Sequence, residues 1–138
     1  MNLKEYPQYK LFKFTSLLNE KKRQFQNPDT GERAVNSTII SRAYYSAYSY
    51  TCLWLEDQHD FKFKQKWEFK EEGKEYISEH AQVRIKLEEL NCFKVKDNLY
   101  ELFKLREKAD YSMNIPLTEK NIKESLYHME LIFNELKF

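Results

Sequence analysis

Two short stretches of this chain carry the residue types best suited to bind an anion, and each holds one arginine. Arg42 lies in the run SRAYYSAY of residues 41–48, and Arg106 lies in the run LREKADY of residues 105–111. An arginine among small, aromatic and aliphatic residues is costly to bury unless a carboxylate, a backbone carbonyl or an anionic ligand meets it. The planar guanidinium also matches the oxygens of phosphate. We therefore expect the two arginines either to form internal ion pairs or to line a groove that binds phosphate.

Asp110 is the acid best placed to meet either arginine. It follows Arg106 by four residues, a spacing that brings two side chains together on one helix face, and it can instead reach across to Arg42. A buried or half-buried network of ion pairs and tyrosines that fixes the register of the helices would explain these residues without any ligand. If the groove binds a ligand, its residues are Arg42, Tyr45, Arg106, Asp110 and Tyr111.

A third candidate is a segment in which aromatic residues alternate with lysines. The runs FKFK, from Phe61, and WEFK, from Trp67, have a period of two, which predicts a short hairpin or an extended flap within an irregular region at 57–77. Rings beside cations are the usual means of contacting single-stranded nucleic acid. The alternative is that the rings fold onto the body of the protein and leave the lysines in water. The candidate nucleic-acid contacts are Phe61, Lys62, Phe63, Lys64 and Trp67.

Helices must position these residues, because residues that break helices are scarce. The chain of 138 residues has only 2 glycines and 3 prolines, which favours long helices and argues against an all-β fold. Its length is typical of a single domain over residues 1–138. We predict an all-α, up-and-down bundle of four to five helices, with an irregular flap between the second and the third.

Local signals predict where each helix begins and ends. A first helix over 7–25 has Phe14 in its apolar stripe, and the sequence NPDTG at 27–31 predicts a turn after it. The second helix, over 32–56, is apolar on several sides and is therefore expected at the centre of the bundle. The predicted N-caps of the third, fourth and last helices are Ser78, Asp97 and Thr118.

Composition limits the classes of function. A formal net charge of +1 argues against a globally basic nucleic-acid-binding surface, though not against a local basic patch. Cys52 and Cys92 lack metal-type spacing, and we expect free thiols. No two histidines have the spacing of a helical metal site, so we expect no metal and no cofactor, with His80 half-exposed in packing and His128 facing solvent. Because no apolar run is long enough to cross a membrane, we expect a soluble, cytoplasmic protein without a membrane partner.

The two arginine motifs resemble those of the HEPN superfamily. The sequence RAYY that begins at Arg42 matches an RxYY helix of this family, and the sequence REKADY that begins at Arg106 matches its RxxADY motif. The resemblance extends over residues 8–136 and is closest to small bacterial members. It implies a compact helical bundle that forms a homodimer. It also implies contact with RNA or a nucleotide, and a cognate nucleotidyltransferase-like or antitoxin protein as a partner.

The same resemblance implies more than one activity. Many HEPN proteins are ribonucleases of toxin–antitoxin or phage-defence systems, in which an arginine is followed one to two helical turns later by a histidine. Arg106 matches that arginine, but Tyr111, Ser112 and Met113 stand where the histidine would fall. Our first hypothesis is therefore a dimeric binding or regulatory module that lacks the ribonuclease histidine. The alternatives are an active ribonuclease toxin, with Arg106 and Tyr111 as catalytic residues, and a structural or adaptor bundle.

Overall fold

Helices account for all regular secondary structure in residues 3–27, 29 and 31–138, which are the residues that the computed structural model describes. No strand forms within these residues, and the prediction of an all-α bundle is confirmed. Short 3-10 turns occur at Leu3–Glu5 and Lys22–Gln24. The α-helices are α1 (Pro7–Glu20), α2 (Gly31–His59), α3 (Lys66–Glu71), α4 (Glu79–Glu89), α5 (Phe93–Tyr111) and α6 (Glu119–Glu135).

Helix α2 is the centre of the bundle, as its broad apolar perimeter predicts. It packs against α1, α5 and α6, and its Ile39, Ile40 and Tyr50 are completely buried. Burial of an aliphatic side chain of this size stabilises a fold by about 1.5–3 kcal/mol. The Tyr50 hydroxyl donates a hydrogen bond of 2.7 Å to the backbone carbonyl of Leu136, so this buried polar group has a hydrogen-bond partner.

The turn before α2 is described only in part, because Pro28 and Thr30 lie outside the described residues. Beside them, the amide of Asp29 donates to Asn27 Oδ1 at 2.9 Å, and the amide of Gly31 donates to the Asn27 carbonyl at 2.8 Å. Gly31 has a φ of 72°, a left-handed conformation that glycine adopts without steric cost.

Helix α1 turns a different face to the core from the one that its sequence predicts. Phe14, which was expected in the apolar stripe, is 55% exposed. Phe12 takes the core position instead, and it stacks on Phe133 with 4.4 Å between the ring centroids. Such stacking adds stabilisation beyond the area that the rings bury. The helix also ends earlier than predicted, at Glu20, where the chain tightens into the 3-10 turn Lys22–Gln24.

Of the two forms predicted for the region at 57–77, the hairpin is wrong and the extended chain is present over 60–65. Helix α2 continues to His59, the chain is extended over 60–65, and α3 follows. The backbone amide of Gln65 donates to the carboxylate of Glu68 at 2.6 Å, which satisfies a donor at the start of α3. Trp67 and Phe69, whose spacing predicted a strand, therefore lie on a short helix, in which Phe69 is buried and Trp67 is exposed.

One side chain of α4 fixes the extended segment 60–65. Gln82 Oε1 accepts the amide hydrogen of Lys64 at 2.8 Å, and Gln82 Nε2 donates to the carbonyls of Lys64 at 3.0 Å and Ile77 at 2.8 Å. Phe61 and Phe63 pack against the main core cluster. The expectation that the aromatic rings fold onto the bundle is therefore confirmed for these two residues.

Two of the three predicted N-caps are confirmed. The Ser78 hydroxyl accepts a backbone amide of the first turn of α4 at 3.3 Å. The Thr118 hydroxyl accepts the Asn121 amide at 3.2 Å, and the Asn121 side chain accepts the Thr118 amide at 3.1 Å. Each bond satisfies a donor that has no partner within its own helix.

The third predicted cap, Asp97, is wrong, because it lies inside α5. That helix begins at Phe93, directly after a link of three residues from α4. Asn91 in this link has a φ of 59°, and asparagine tolerates that left-handed conformation better than most residues do. The tight reversal lets α5 begin one turn earlier than Asp97.

Arg33 of α2 holds the C-terminal end of α5. Its guanidinium donates to the carbonyls of Ala109 at 3.2 Å, Ser112 at 2.8 Å and Ile115 at 3.1 Å. The last carbonyls of a helix have no partner within the helix, and they attract cations. Arg33 thereby fixes the end of α5 that carries residues 106–110 against α2.

Candidate functional site

The Arg106 side chain is anchored by one nitrogen and open at its end. Its Nε lies 2.9 Å from Asp110 Oδ2, and the two side chains are 15% and 28% exposed. The Ser41 hydroxyl donates to the other oxygen, Asp110 Oδ1, at 2.5 Å. The prediction that Asp110 pairs with Arg106 is confirmed, whereas no ion pair joins Asp110 to Arg42, both of which the structure describes. Nη1 and Nη2 of Arg106 make no hydrogen bond to any described residue, and neither is a buried atom, so they remain available to a ligand.

All five residues of the predicted groove lie together on the surface where α2 meets α5. The Arg106 guanidinium lies 5.6 Å from the ring centroid of Tyr45 and 5.7 Å from that of Tyr111. The Arg42 guanidinium lies 5.1 Å from the Tyr45 ring. Arg42 does not need an internal carboxylate, because it occupies the exposed stripe of α2 rather than an apolar one. The groove therefore presents two cations between exposed tyrosine rings.

Tyr44, on the buried side of Arg106, is hydrogen-bonded to a histidine. Tyr44 is only 1% exposed, and its hydroxyl contacts His80 Nδ1 of α4. The Arg106 guanidinium lies 5.7 Å from the Tyr44 ring centroid. Burial raises the pKa of Tyr44 well above its ordinary value, against the opposing effects of Arg106 and Arg84, so the phenol keeps its proton at neutral pH.

Burial and two arginines keep His80 neutral. Burial lowers its pKa from the ordinary 6.5, and the charges of Arg106 and Arg84 lower it further. We infer that the buried Tyr44 hydroxyl donates its hydrogen to Nδ1, because it contacts no other acceptor among the described residues. The hydrogen of the neutral imidazole is then on Nε2. Nε2 contacts no described hydrogen-bonding partner and is not a buried atom, so it is an open N–H donor.

Arg84 is a second half-buried cation beside this pair. Its guanidinium lies 5.3 Å from the ring centroids of both Tyr100 and Phe103 of α5. The Phe103 ring lies 5.9 Å from the Tyr44 ring and 5.6 Å from the His80 ring. We call Arg84, Arg106, His80 and Tyr44 the two-arginine cluster. Its side chains come from α2, α4 and α5, so only the folded bundle can assemble it.

The wall behind the cluster is aromatic and chemically inert. The Tyr48 ring stacks on Tyr44 at 5.6 Å and lies 4.5 Å from the His80 ring, between centroids. Burial raises the pKa of the neighbouring Cys52 thiol to about 12, so this cysteine is not a nucleophile at neutral pH. Cys52 and Cys92 are both free thiols, as expected.

The sequence predicts the five residues that the structure brings together where α2 meets α5, but it does not predict that His80 and Arg84 of α4 lie beside them. His80 was expected only as a half-exposed packing residue, and the bond to Tyr44 adds a role that its position in the chain does not reveal. The available signal was the separation of four residues between His80 and Arg84, which places both on one face of α4. His128, expected to face solvent, is instead half-buried, and its Nδ1 lies 2.7 Å from Asn98 Oδ1.

The predicted nucleic-acid flap is separate from the cluster. Lys64 forms an ion pair with Glu72, so Lys62 and Trp67 are the exposed residues of the predicted flap. No hydrogen bond or ring contact joins Lys62, Lys64 or Trp67 to the two-arginine cluster. Among the described residues, no group of three or more histidine, cysteine, aspartate or glutamate side chains is arranged to hold a metal ion. No described helix combines the length and the apolar character that crossing a membrane requires.

Comparison with known proteins found no matching family model, no similar curated protein and no similar solved structure.

Proposed function

We propose that this chain is a HEPN-like module that binds the phosphate groups of single-stranded RNA or of a nucleotide. The open end of Arg106 carries the proposal: Asp110 holds the guanidinium through Nε alone, and the four remaining N–H bonds suit phosphate oxygens. Tyr45 and Tyr111 offer exposed ring faces on which bases can stack. Arg42 adds a second exposed cation on the same surface.

The module is proposed to act as a homodimer. Beside the groove, the end of α5 and the link that follows it expose two apolar side chains, Tyr111 at 68% and Met113 at 66%. Adjacent exposed apolar side chains of this size favour a protein partner. A second copy of the chain would cover them and enclose the groove. In a toxin–antitoxin setting, a cognate nucleotidyltransferase-like or antitoxin protein would compete for the same surface.

Binding without cleavage follows from the protonation of the site. Attack of an RNA 2′-hydroxyl on phosphate needs a group that accepts its proton. The open nitrogen of His80 carries a hydrogen and is a donor, and Tyr111 carries a hydroxyl where the family motif has an imidazole. Arg106 stays protonated and can only stabilise negative charge. The cluster is therefore equipped to hold a phosphate and not to remove a proton.

Direct binding tests the proposal. We expect a fluorescently labelled oligouridylate to bind the wild-type protein, with the affinity measured by anisotropy. Arg106→Lys keeps the charge beside Asp110 but removes the open fork, and we expect it to weaken binding by about tenfold. The matched control is Arg23→Gln, which removes an exposed arginine far along the chain from the groove and should bind like wild type. Equal binding by all three proteins would contradict the proposal.

A ribonuclease is the second candidate, favoured by one observation. Helix α4 brings His80 onto the same Tyr44 ring that Arg106 contacts, although no histidine stands at residues 111–113, where the family motif would place it. We expect weak or no cleavage of single-stranded RNA in EDTA at neutral pH. Robust cleavage that is lost in Arg106→Lys and in His80→Asn would make the chain an enzyme. A chain that neither binds nor cleaves RNA or nucleotides would be a structural or adaptor bundle.

A further inference from the structure

Arg84 is a half-buried arginine without a carboxylate partner. The acid at the favourable spacing on its own helix, Glu88, instead contacts Lys96 Nζ of α5 at 3.0 Å. No other aspartate or glutamate among the described residues lies within ion-pair distance of the Arg84 guanidinium. Two aromatic rings, those of Tyr100 and Phe103, hold it by cation–π contact.

Positive charge accumulates around this residue, and Glu79 and Glu107 oppose its effect on His80 only in part. Arg84 and Arg106 both lower the pKa of His80, which shows that the two guanidinium charges act on one imidazole. Among the described residues, Asp110 is the carboxylate that contacts Arg106, and its two oxygens are already bound by Arg106 and Ser41. Bringing such charges together costs free energy that an anion returns.

We propose that Arg84 forms a second phosphate subsite, so that the cluster holds two phosphates of one RNA strand rather than the phosphate of a mononucleotide. The inference rests on the proposed function and adds the class of ligand. Arg84 stacks on Tyr100 and Phe103, whereas Arg106 stacks on Tyr44 and its neighbours, and the Tyr44–Phe103 ring pair stands between them. Each guanidinium therefore serves its own phosphate.

The test compares two ligands in three proteins. Wild type, Arg84→Gln and Arg23→Gln are titrated with labelled oligouridylate over a series of salt concentrations, and with uridine monophosphate as a competitor. We expect Arg84→Gln to bind the oligonucleotide about tenfold more weakly, and to lower the slope of log affinity against log salt by about 0.7, the value for one phosphate of a single strand. Its affinity for the mononucleotide should change by less than about twofold, because Arg106 is intact. Arg23→Gln, which loses the same charge, should match wild type in all three measurements.

The outcomes separate the subsite from the function. If wild type binds neither ligand, the proposed function fails and the subsite fails with it. If wild type binds the oligonucleotide and Arg84→Gln binds it with the same affinity and salt slope, only the subsite is overturned. Should Arg84→Gln unfold, Arg84→Lys keeps the charge and the aliphatic stem without the fork. It must then bind the oligonucleotide more weakly than wild type, or the subsite is overturned.

Discussion

Arg106 uses one of its hydrogen-bond donors within the protein and leaves the others open. One nitrogen contacts Asp110 at 2.9 Å, and that bond fixes the plane of the guanidinium before a ligand arrives. Side chains ordered in advance lose less conformational entropy on binding. Sequence spacing predicts this pair correctly, because the two residues are neighbours on one helix. His80 and Arg84 escape such reasoning because they meet Arg106 only through tertiary packing on the rings of Tyr44 and Phe103.

We predict that affinity for RNA rises as the pH falls from 7.5 to 5.5. His80 is neutral in the unliganded protein because burial, Arg106 and Arg84 lower its pKa below 6.5, with weaker opposition from Glu79 and Glu107. A phosphodiester beside Nε2 adds negative charge and raises that pKa, so binding takes up a proton. A rise of one pKa unit corresponds to an affinity gain of up to about tenfold.

The matched variant is His80→Asn, whose side-chain oxygen can still accept the Tyr44 hydroxyl but does not titrate. Its affinity should not change over this pH range. The lowered pKa also makes the unfolded chain bind more protons than the folded one as pH falls through 6.5, so the stability of the wild type decreases there. Melting curves must therefore accompany each titration. A flat pH profile for the folded wild type would contradict the prediction.

At the scale of elements, the ends of α5 determine where the groove lies. Its start was predicted one turn too late, because Asp97 is a good cap in isolation and the left-handed Asn91 that permits an earlier start leaves little trace in the sequence. Its end depends on Arg33 of α2, whose carbonyl acceptors are far away in the chain. Helix propensity is a property of one segment of the chain, whereas the early start of α5 and its anchored end both depend on contacts outside that helix.

We predict that Arg33→Met lowers the free energy of unfolding by about 1.5–3 kcal/mol, the value for hydrogen bonds to a charged group. Methionine fills the space of the aliphatic stem but cannot donate to the carbonyls at the end of α5. Urea unfolding followed by circular dichroism measures the effect. Arg23→Met is the control, because Arg23 is exposed on the turn after α1 and should change stability by less than about 0.5 kcal/mol. Equal stability of the two variants would refute the role of Arg33.

For the whole molecule, the sequence predicts the fold class better than it predicts which residues are exposed. The scarcity of glycine and proline predicts a helical bundle, and the apolar perimeter of the second helix predicts that α2 lies at its centre. The structure confirms both predictions. Phe12 and Phe14 show where such reasoning stops. Both are aromatic and two residues apart, and only packing against Phe133 selects Phe12 for the core. The extended segment 60–65 is a further case, since its shape depends on a side chain of another helix.

We predict that the protein is a dimer at high micromolar concentration, with Met113→Glu as the variant that separates it. Met113 is exposed next to Tyr111, and a carboxylate there would be desolvated by a partner copy. Sedimentation velocity should give a dimer for wild type and a monomer for Met113→Glu. Glu130→Lys, an exposed change on α6, should leave the dimer intact. A monomeric wild type at that concentration would contradict the prediction.

The bonds of Gln82 have a consequence for the order in which the chain folds. The amide of Lys64 gains its partner from a residue 18 positions later, whereas the amides of Phe61 and Gln65, at the two ends of the segment 60–65, bond to nearby residues. The bond at Lys64 therefore forms only once α4 is folded beside the segment, and we expect exchange of the Lys64 amide hydrogen with solvent to report the loss of that contact.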